Sequence, residues 1–249
     1  MPLRALRAGI TFLTRIPVGG FPYHADDWRW ASGHFPLIGA LLGAALAGVW
    51  CATASLGAMP AAALVLAVSL LATGAFHEDG LADTADALGG AYDRARVLEI
   101  LKDSRIGAFG GAALAMTLLT RFALLAALGD RAPLALVISE GVSRLPPVVL
   151  MAILPYATDD ARAKSRQITR ARGPQVALAG GWTAAILVGA IAWGGLTPLT
   201  ATAILAAITA AGAIAGWRFV RRVGGVTGDF LGATQQVAVV AALIALRAA

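Results

Sequence analysis

The sequence predicts an all-α fold, a polytopic integral membrane bundle of six to seven transmembrane helices with an amphipathic helix at its N-terminus. Hydrophobic residues fill 58% of the 249 positions and charged residues only 14%, a balance that would leave large apolar patches on a water-soluble domain. The apolar residues form continuous runs rich in Ala and Leu rather than alternating with polar ones, which favours helices over strands. A helix needs about 20 residues to cross the bilayer. The runs of this length are 33–55, 60–78, 106–128, 134–154, 175–194 and 198–217, with a weaker seventh at 231–246.

The first residues predict a helix that lies in the membrane interface. Apolar and polar positions separate onto two faces at helical spacing, which is typical of a helix in the headgroup plane. The apolar stretch is too short for a signal peptide, and Pro17 is expected to end the helix. The apolar face holds Leu3, Leu6, Ile10 and Leu13, and the polar face holds Arg4, Arg7, Thr11 and Arg15.

The positive charges predict the orientation of the bundle. With the first helix in the interface, 16 of the 20 Lys and Arg residues fall on one side of the membrane. The positive-inside rule places that side in the cytoplasm, where the basic loops face anionic lipid rather than nucleic acid. No long linker divides the chain, so residues 1–249 are predicted to form one membrane-embedded catalytic domain.

An acidic motif, HEDGLADTADALGG at 77–90, follows the second run. If that span continues as a helix until Gly89 and Gly90, then Asp79, Asp83 and Asp86 occupy one face. Like charges at this spacing repel, and carboxylates near a helix C-terminus oppose the helix dipole. A bound cation would relieve both effects, and oxygen ligands favour Mg²⁺.

The predicted metal ligands are Glu78, Asp79, Asp83 and Asp86. The three aspartates and His77 are also candidate catalytic residues, because carboxylates and imidazoles exchange protons with a reacting group. The alternatives are a solvated helix end for the aspartates and an interfacial histidine with satisfied hydrogen bonds for His77.

Two further polar segments predict substrate-binding residues. Cationic donors, a hydroxyl and a glycine at the start of the third span suit a phosphate group, although a membrane anchor with a turn has the same composition. The aspartate of the second segment is either an N-cap or a ligand. All of these segments face the same side, so they are expected to converge on a metal-assisted phosphoryl-transfer site. The residues are Lys102, Ser104, Arg105 and Gly107 in the first segment and Asp229 in the second.

Three long motifs resemble the cobalamin synthase family, also called adenosylcobinamide-GDP ribazoletransferase. The likeness covers nearly the whole chain, with supporting matches at 12–18 (FLTRIPV), 35–43 (FPLIGALLG) and the Ser143-Arg144 pair. Some members of the family place a glutamate after the Gly-Asp pair, where this sequence has Gln235 and Gln236. The motifs are FHEDGLADTADA at 76–87, LEILKDSRIGAFG at 98–110 and GGVTGDFLGATQQ at 224–236.

The resemblance implies a Mg²⁺-dependent transferase in the inner membrane of a bacterial cell, with its active site facing the cytoplasm. Its substrates would be adenosylcobinamide-GDP and alpha-ribazole or the 5'-phosphate of alpha-ribazole, and its products adenosylcobalamin, or the corresponding 5'-phosphate, and GMP. Arg144, in the family-like Ser-Arg pair, would then bind substrate. The lipid bilayer is the other expected partner, nucleic acid is not expected, and a homo-oligomer is left open.

Two alternatives come from other classes. A phosphatidyltransferase of the CDP-alcohol type also sets spaced aspartates on membrane helices, but its fuller pattern is not matched. A cation transporter would need charged groups deep within the spans, where the sequence has Arg121, Glu140 and Arg144. The short turn between the third and fourth spans places Arg121 and Glu140 at matching depth, which predicts an ion pair between them, with Glu140 and Arg144 as the competing pair.

Overall fold

The computed structural model describes residues 2–157 and 171–249, and within them the chain is α-helical without a β-strand. The predicted all-α fold is confirmed. Residues 158–170, which follow the predicted fourth span, lie outside the described residues. The helices are α1 Pro2–Leu13, α2 Ala25–Ala31, α3 Phe35–Thr53, α4 Ala58–Thr73, α5 Phe76–Gly90, α6 Arg94–Ile100, α7 Ala108–Leu128, α8 Ala132–Val142, α9 Leu145–Ile153, α10 Gly173–Ala192, α11 Pro198–Val223 and α12 Gly228–Ala248.

Among the described residues, five helical segments are long and apolar enough to cross a membrane, and a sixth is counted if the bent pair α4–α5 is one span. One segment, Ala108–Ile153, has 46 residues, about twice the length that a single crossing needs. Arg121 and Glu140 are in contact, so the chain reverses direction between α7 and α8. That segment therefore accounts for two of the predicted spans.

The prediction that the second span continues as one helix to Gly90 is wrong. Helix α4 ends at Thr73, and α5 leaves at 89° to it. Gly74 and Ala75 both have left-handed backbone angles, with φ of 67° and 56°, a conformation that glycine adopts without steric cost and alanine rarely adopts. The predicted end of α5 at Gly90 is confirmed.

The predicted fourth span is also broken, at Ser143 and Arg144, between α8 and α9. Pro146 and Pro147 follow in the first turn of α9, where their missing N–H groups cost nothing. Because these residues cannot donate to the carbonyls four positions earlier, the hydrogen-bond ladder of α8 is not continued into α9. Arg144, which lies at this break, is 2% exposed, so its side chain lies inside the bundle.

Glycines bring α3 close to α8. A Cβ on Gly43 would lie 2.8 Å from the Val137 Cα, so only a residue without a side chain permits this approach. The predicted N-terminal helix forms as α1 and ends at Leu13, before Pro17. Its buried residues include Ala8 and Leu13, which brings the end of α1 against the bundle.

Candidate active site

A cavity of about 380 Å³ lies between α1, α5, α9 and α12, and we call it the main cavity. It brings together four of the predicted site residues from three parts of the sequence. Its remaining walls are mostly apolar, with Phe12, Phe76 and Met151 among them. The predicted residues that line it are His77, Asp79, Arg144 and Asp229, and Gln235 adds an amide.

Close packing of α5 on α12 places the two aspartates at the same cavity. A Cβ on Gly80 would lie 2.9 Å from the Asp229 carbonyl oxygen, and one on Gly232 would lie 3.4 Å from the His77 Cα. A side chain at Gly80 would push the helices apart, whereas a Cβ at Gly232 would be in ordinary van der Waals contact with α5. Gly80 therefore sets the close approach that places Asp79 and Asp229 at one cavity.

A short backbone pairing fixes the start of α12. The Val226 N–H donates to the Pro155 carbonyl at 2.9 Å, and the Gly228 N–H donates to the Tyr156 hydroxyl at 3.1 Å. The N-cap of α12 is Thr227, whose hydroxyl accepts from the Phe230 N–H at 3.3 Å. The sequence left two roles open for Asp229, an N-cap or a ligand. Because Thr227 is the N-cap, the Asp229 side chain is not needed for that role.

Asp83 and Asp86 complete the acidic face of α5, but their surroundings differ. Asp83 is half-buried and lies within electrostatic range of Asp79, Asp229 and Asp86. The carboxylate of Asp86 accepts from the Gly107 N–H at 2.7 Å and the Gly110 N–H at 2.8 Å. It thus caps the N-terminus of α7, where backbone N–H groups lack helical partners. Gly107 was predicted to bind substrate, but its N–H donates to this carboxylate.

The acidic residues fit a magnesium ion only in part. In the described part of the chain, no three His, Cys, Asp or Glu side chains are grouped as a metal site. Mg²⁺, however, is usually held by one or two carboxylates, with water and substrate phosphates completing its shell. Asp79 and Asp229, which line the main cavity together, could supply the one or two carboxylates of such a site, with a substrate diphosphate completing the shell.

Glu78 lies elsewhere, in a buried group of charged and amide side chains that we call the ion network. Its members are Glu78, Arg121, Glu140 and Arg144, with Gln235, Gln236 and Ser143 hydrogen-bonded to them or to each other. The Glu78 Oε1 accepts from Arg121 at 3.3 Å and from Gln236 at 3.0 Å. Because Glu78 is 3% exposed, pairs with Arg121 and does not line the main cavity, we leave it out of the proposed metal site. Gln236, from the third motif, is part of the same network.

The predicted ion pair between Arg121 and Glu140 is confirmed, with an N···O distance of 2.7 Å. Its competitor also forms, since Glu140 contacts Arg144 at 3.0 Å. The sequence offered these two ion pairs as alternatives, but both form, because each oxygen of the Glu140 carboxylate contacts a different arginine. Arg144 reaches both the ion network and the main cavity, and its Nε has no partner in the described residues.

Lys102, Ser104 and Arg105 are exposed and do not line the main cavity. The Arg105 Nε donates to the Asp103 carboxylate at 2.9 Å, although the arginine side chain is 86% exposed. This hydrogen bond lowers the pKa of Asp103 to about 2 and raises the pKa of Arg105. Sequence reasoning missed Asp103, which stands two positions before the arginine that it binds.

The fold and the main cavity define an integral membrane protein with an acidic, enzyme-like site. The family model for cobalamin-5-phosphate synthase matches residues 5–247, and the chain belongs to this family. It is thereby a transferase of cobalamin synthesis.

Similar proteins named adenosylcobinamide-GDP ribazoletransferase cover nearly the whole chain. The protein from Leptothrix cholodnii is 41% identical over 244 residues, which are 94% of this chain and 91% of the relative. The protein from Albidiferax ferrireducens is 39% identical over 94% of each chain. The one from Vibrio cholerae is 38% identical over 92% of this chain and 87% of the relative. No solved structure matches the chain.

Proposed function

We propose that the protein transfers alpha-ribazole, or its 5'-phosphate, onto adenosylcobinamide-GDP in a Mg²⁺-dependent reaction. A ribose hydroxyl attacks the phosphorus attached to cobinamide, the bond to the guanylyl phosphate breaks, and GMP leaves. The products are adenosylcobalamin or its 5'-phosphate. The observation that carries the proposal is the meeting of Asp79, Asp229, His77 and Arg144 in the main cavity, in a chain whose relatives carry the name of this reaction.

The cavity residues divide the chemistry between them. Asp79 and Asp229 would hold the metal, which when bound supplies positive charge to the diphosphate, and Asp83 lies within electrostatic range of both. Arg144 adds a cationic donor for phosphate oxygen. Asp79 or His77 takes the proton of the attacking hydroxyl, as a general base within the cavity. The apolar walls keep bulk water away from the phosphate that is attacked.

We propose that the main cavity opens toward the cytoplasm of a bacterial inner membrane. The acidic face of α5 ends beside the exposed loop that carries Lys102 and Arg105. Basic residues in such loops favour the cytoplasmic side. In this position, Lys102 and Arg105 would contact the guanosine diphosphate end of a substrate too large to be enclosed by the cavity.

The two alternatives have less support. A transporter would need charged groups available along a pathway, whereas Arg121, Glu140 and Arg144 are paired with each other or with Glu78. The chain does not match the sequence pattern of the CDP-alcohol phosphatidyltransferases, and the family model that it matches is a different one.

The proposal is tested by purifying the full chain in detergent and measuring GMP release from adenosylcobinamide-GDP. We expect release that needs an acceptor, stops with a Mg²⁺ chelator and returns when Mg²⁺ is added. Asp79→Asn should lower the rate by about 100-fold or more, because it removes a ligand charge and a base. Asp130→Asn is the matched control, since Asp130 is exposed in the turn between α7 and α8. Wild-type protein without acceptor-dependent GMP release, or Asp79→Asn with full activity, would contradict the proposal.

A further inference from the structure

A second cavity, of about 390 Å³, lies at the break between α4 and α5, and we call it the side cavity. It shares Phe12, Phe76 and Asp79 with the main cavity, so Asp79 stands on the wall between the two. The proposed function uses only the main cavity. The side cavity is further lined by Thr14, Arg15, Thr73, Gly74 and Ala75.

Arg15 is the cationic donor of this cavity. Arg15 is exposed, and its guanidinium has no hydrogen bond or ion pair to the residues that the structure describes. The hydroxyls of Thr14 and Thr73 donate to the carbonyls of Ile10 and Ser69, at 2.8 Å and 3.0 Å. Their protons are therefore used within their own helices, and the guanidinium is left with several N–H groups for a ligand.

The break between α4 and α5 holds Arg15 in place. The Arg15 N–H donates to the Ala72 carbonyl at 2.7 Å, which ties the segment after α1 to the end of α4. The guanidinium lies against Gly74, where a Cβ would overlap it. The left-handed backbone at Gly74 and Ala75 thus opens the side cavity and leaves space for the arginine. Unusual backbone angles of this kind occur at binding sites.

We propose that Arg15 binds the 5'-phosphate of the acceptor nucleotide and is the residue that distinguishes alpha-ribazole 5'-phosphate from alpha-ribazole. This inference rests on the proposed function. An acceptor placed across the shared wall has its aromatic base against Phe12 and Phe76 and its ribose at Asp79, with the phosphate on the Arg15 side. The polar lining suits a sugar phosphate, whereas the donor phosphate that is attacked belongs with Arg144 in the main cavity.

The experiment compares KM and kcat for both acceptors in wild type, Arg15→Ala and Arg15→Lys, in detergent free of phospholipid. Arg15→Ala should raise the KM for the phosphorylated acceptor by about tenfold or more, as expected for a lost charge-assisted hydrogen bond. The KM for alpha-ribazole, the KM for the donor and kcat should stay near wild type. Arg15→Lys should recover part of the loss. Arg7→Ala, which removes an exposed charge from α1, is the matched control.

The outcomes separate this inference from the proposed function. Wild-type enzyme without GMP release contradicts the proposed function itself. Active enzyme in which Arg15→Ala weakens both acceptors equally, weakens only the donor, or weakens neither overturns the role of Arg15. A loss that appears only after transfer into phospholipid vesicles, alike for both acceptors, also overturns it, because it identifies Arg15 as a ligand of lipid headgroup phosphate.

Discussion

Glu78 and Asp79 are neighbours on α5, yet they belong to two different regions of the molecule. Successive residues on a helix point about 100° apart, so Glu78 faces the ion network while Asp79 faces the two cavities. Glu78 is 3% exposed and pairs with Arg121. Asp79 is exposed and has no cationic partner among the described residues.

The contrast extends beyond these two residues. The ion network contains two arginines and two glutamates, and its charges balance within a buried region, where an unpaired charge would be costly. The carboxylates near the main cavity repel one another instead. A carboxylate that pairs with an arginine, as Glu78 and Glu140 do, therefore stabilises the fold. A carboxylate without such a partner, as Asp79 is among the described residues, remains available to a metal ion or substrate. The network consists of Glu78, Arg121, Glu140 and Arg144, with Gln235, Gln236 and Ser143 hydrogen-bonded to it or to each other.

Breaking the ion network should have the largest effect on stability. Glu140→Gln removes the negative charge shared by Arg121 and Arg144 and leaves buried positive charge without a counterion. We expect a loss of about 3 to 5 kcal/mol in the free energy of unfolding. Thermal unfolding of the purified protein in detergent measures it.

Glu99→Gln is the matched control for that substitution. Glu99 pairs with Arg96 on the surface, where both side chains are more than half exposed, and such pairs contribute little to stability. The unfolding midpoint of this variant should stay near that of wild type. A Glu140→Gln variant as stable as the control would mean that the network does not hold the bundle together.

Several contacts of the ion network and the main cavity could be predicted from the sequence, because the rise per residue of a helix fixes how deep each residue lies in the membrane. The contact between Arg121 and Glu140 followed from the rise per residue on either side of a short turn. The meeting of Asp79 with Asp229 followed from placing both at the same membrane boundary. Neither inference required knowledge of how the helices pack.

What the sequence did not predict depends on contacts between distant segments. The bend after α4 involves Arg15 lying against Gly74, 59 positions along the chain. Asp86 looked equivalent to Asp79 in spacing, but the start of α7 lies against it. Helical periodicity gives the face on which a residue lies, and the neighbouring helix decides what that face meets.

Asp86 offers a smaller test of the same contrast. Because both of its oxygens accept backbone N–H groups, Asp86→Asn should lower the free energy of unfolding by about 1 to 2 kcal/mol, as loss of a helix cap does. GMP release per folded molecule should fall far less than in Asp79→Asn. Complete loss of release at unchanged stability would instead place Asp86 among the metal ligands, as the sequence pattern predicted.

The smallest expected effect concerns the exposed pair of Arg105 and Asp103. The pKa of Asp103 is lowered to about 2 by its hydrogen bond with Arg105, so this carboxylate is protonated only as the pH falls toward that value. At neutral pH it is ionised, and it competes with substrate phosphate for Arg105. Asp103→Asn should therefore lower the KM for adenosylcobinamide-GDP by about two- to fivefold, the size expected for an exposed ion pair, and leave kcat and the acceptor KM unchanged. The double variant Asp103→Asn with Arg105→Ala should lose this gain, because no arginine remains to be released. If the lower KM persists in the double variant, Asp103 acts by general repulsion of the diphosphate and Arg105 does not bind it.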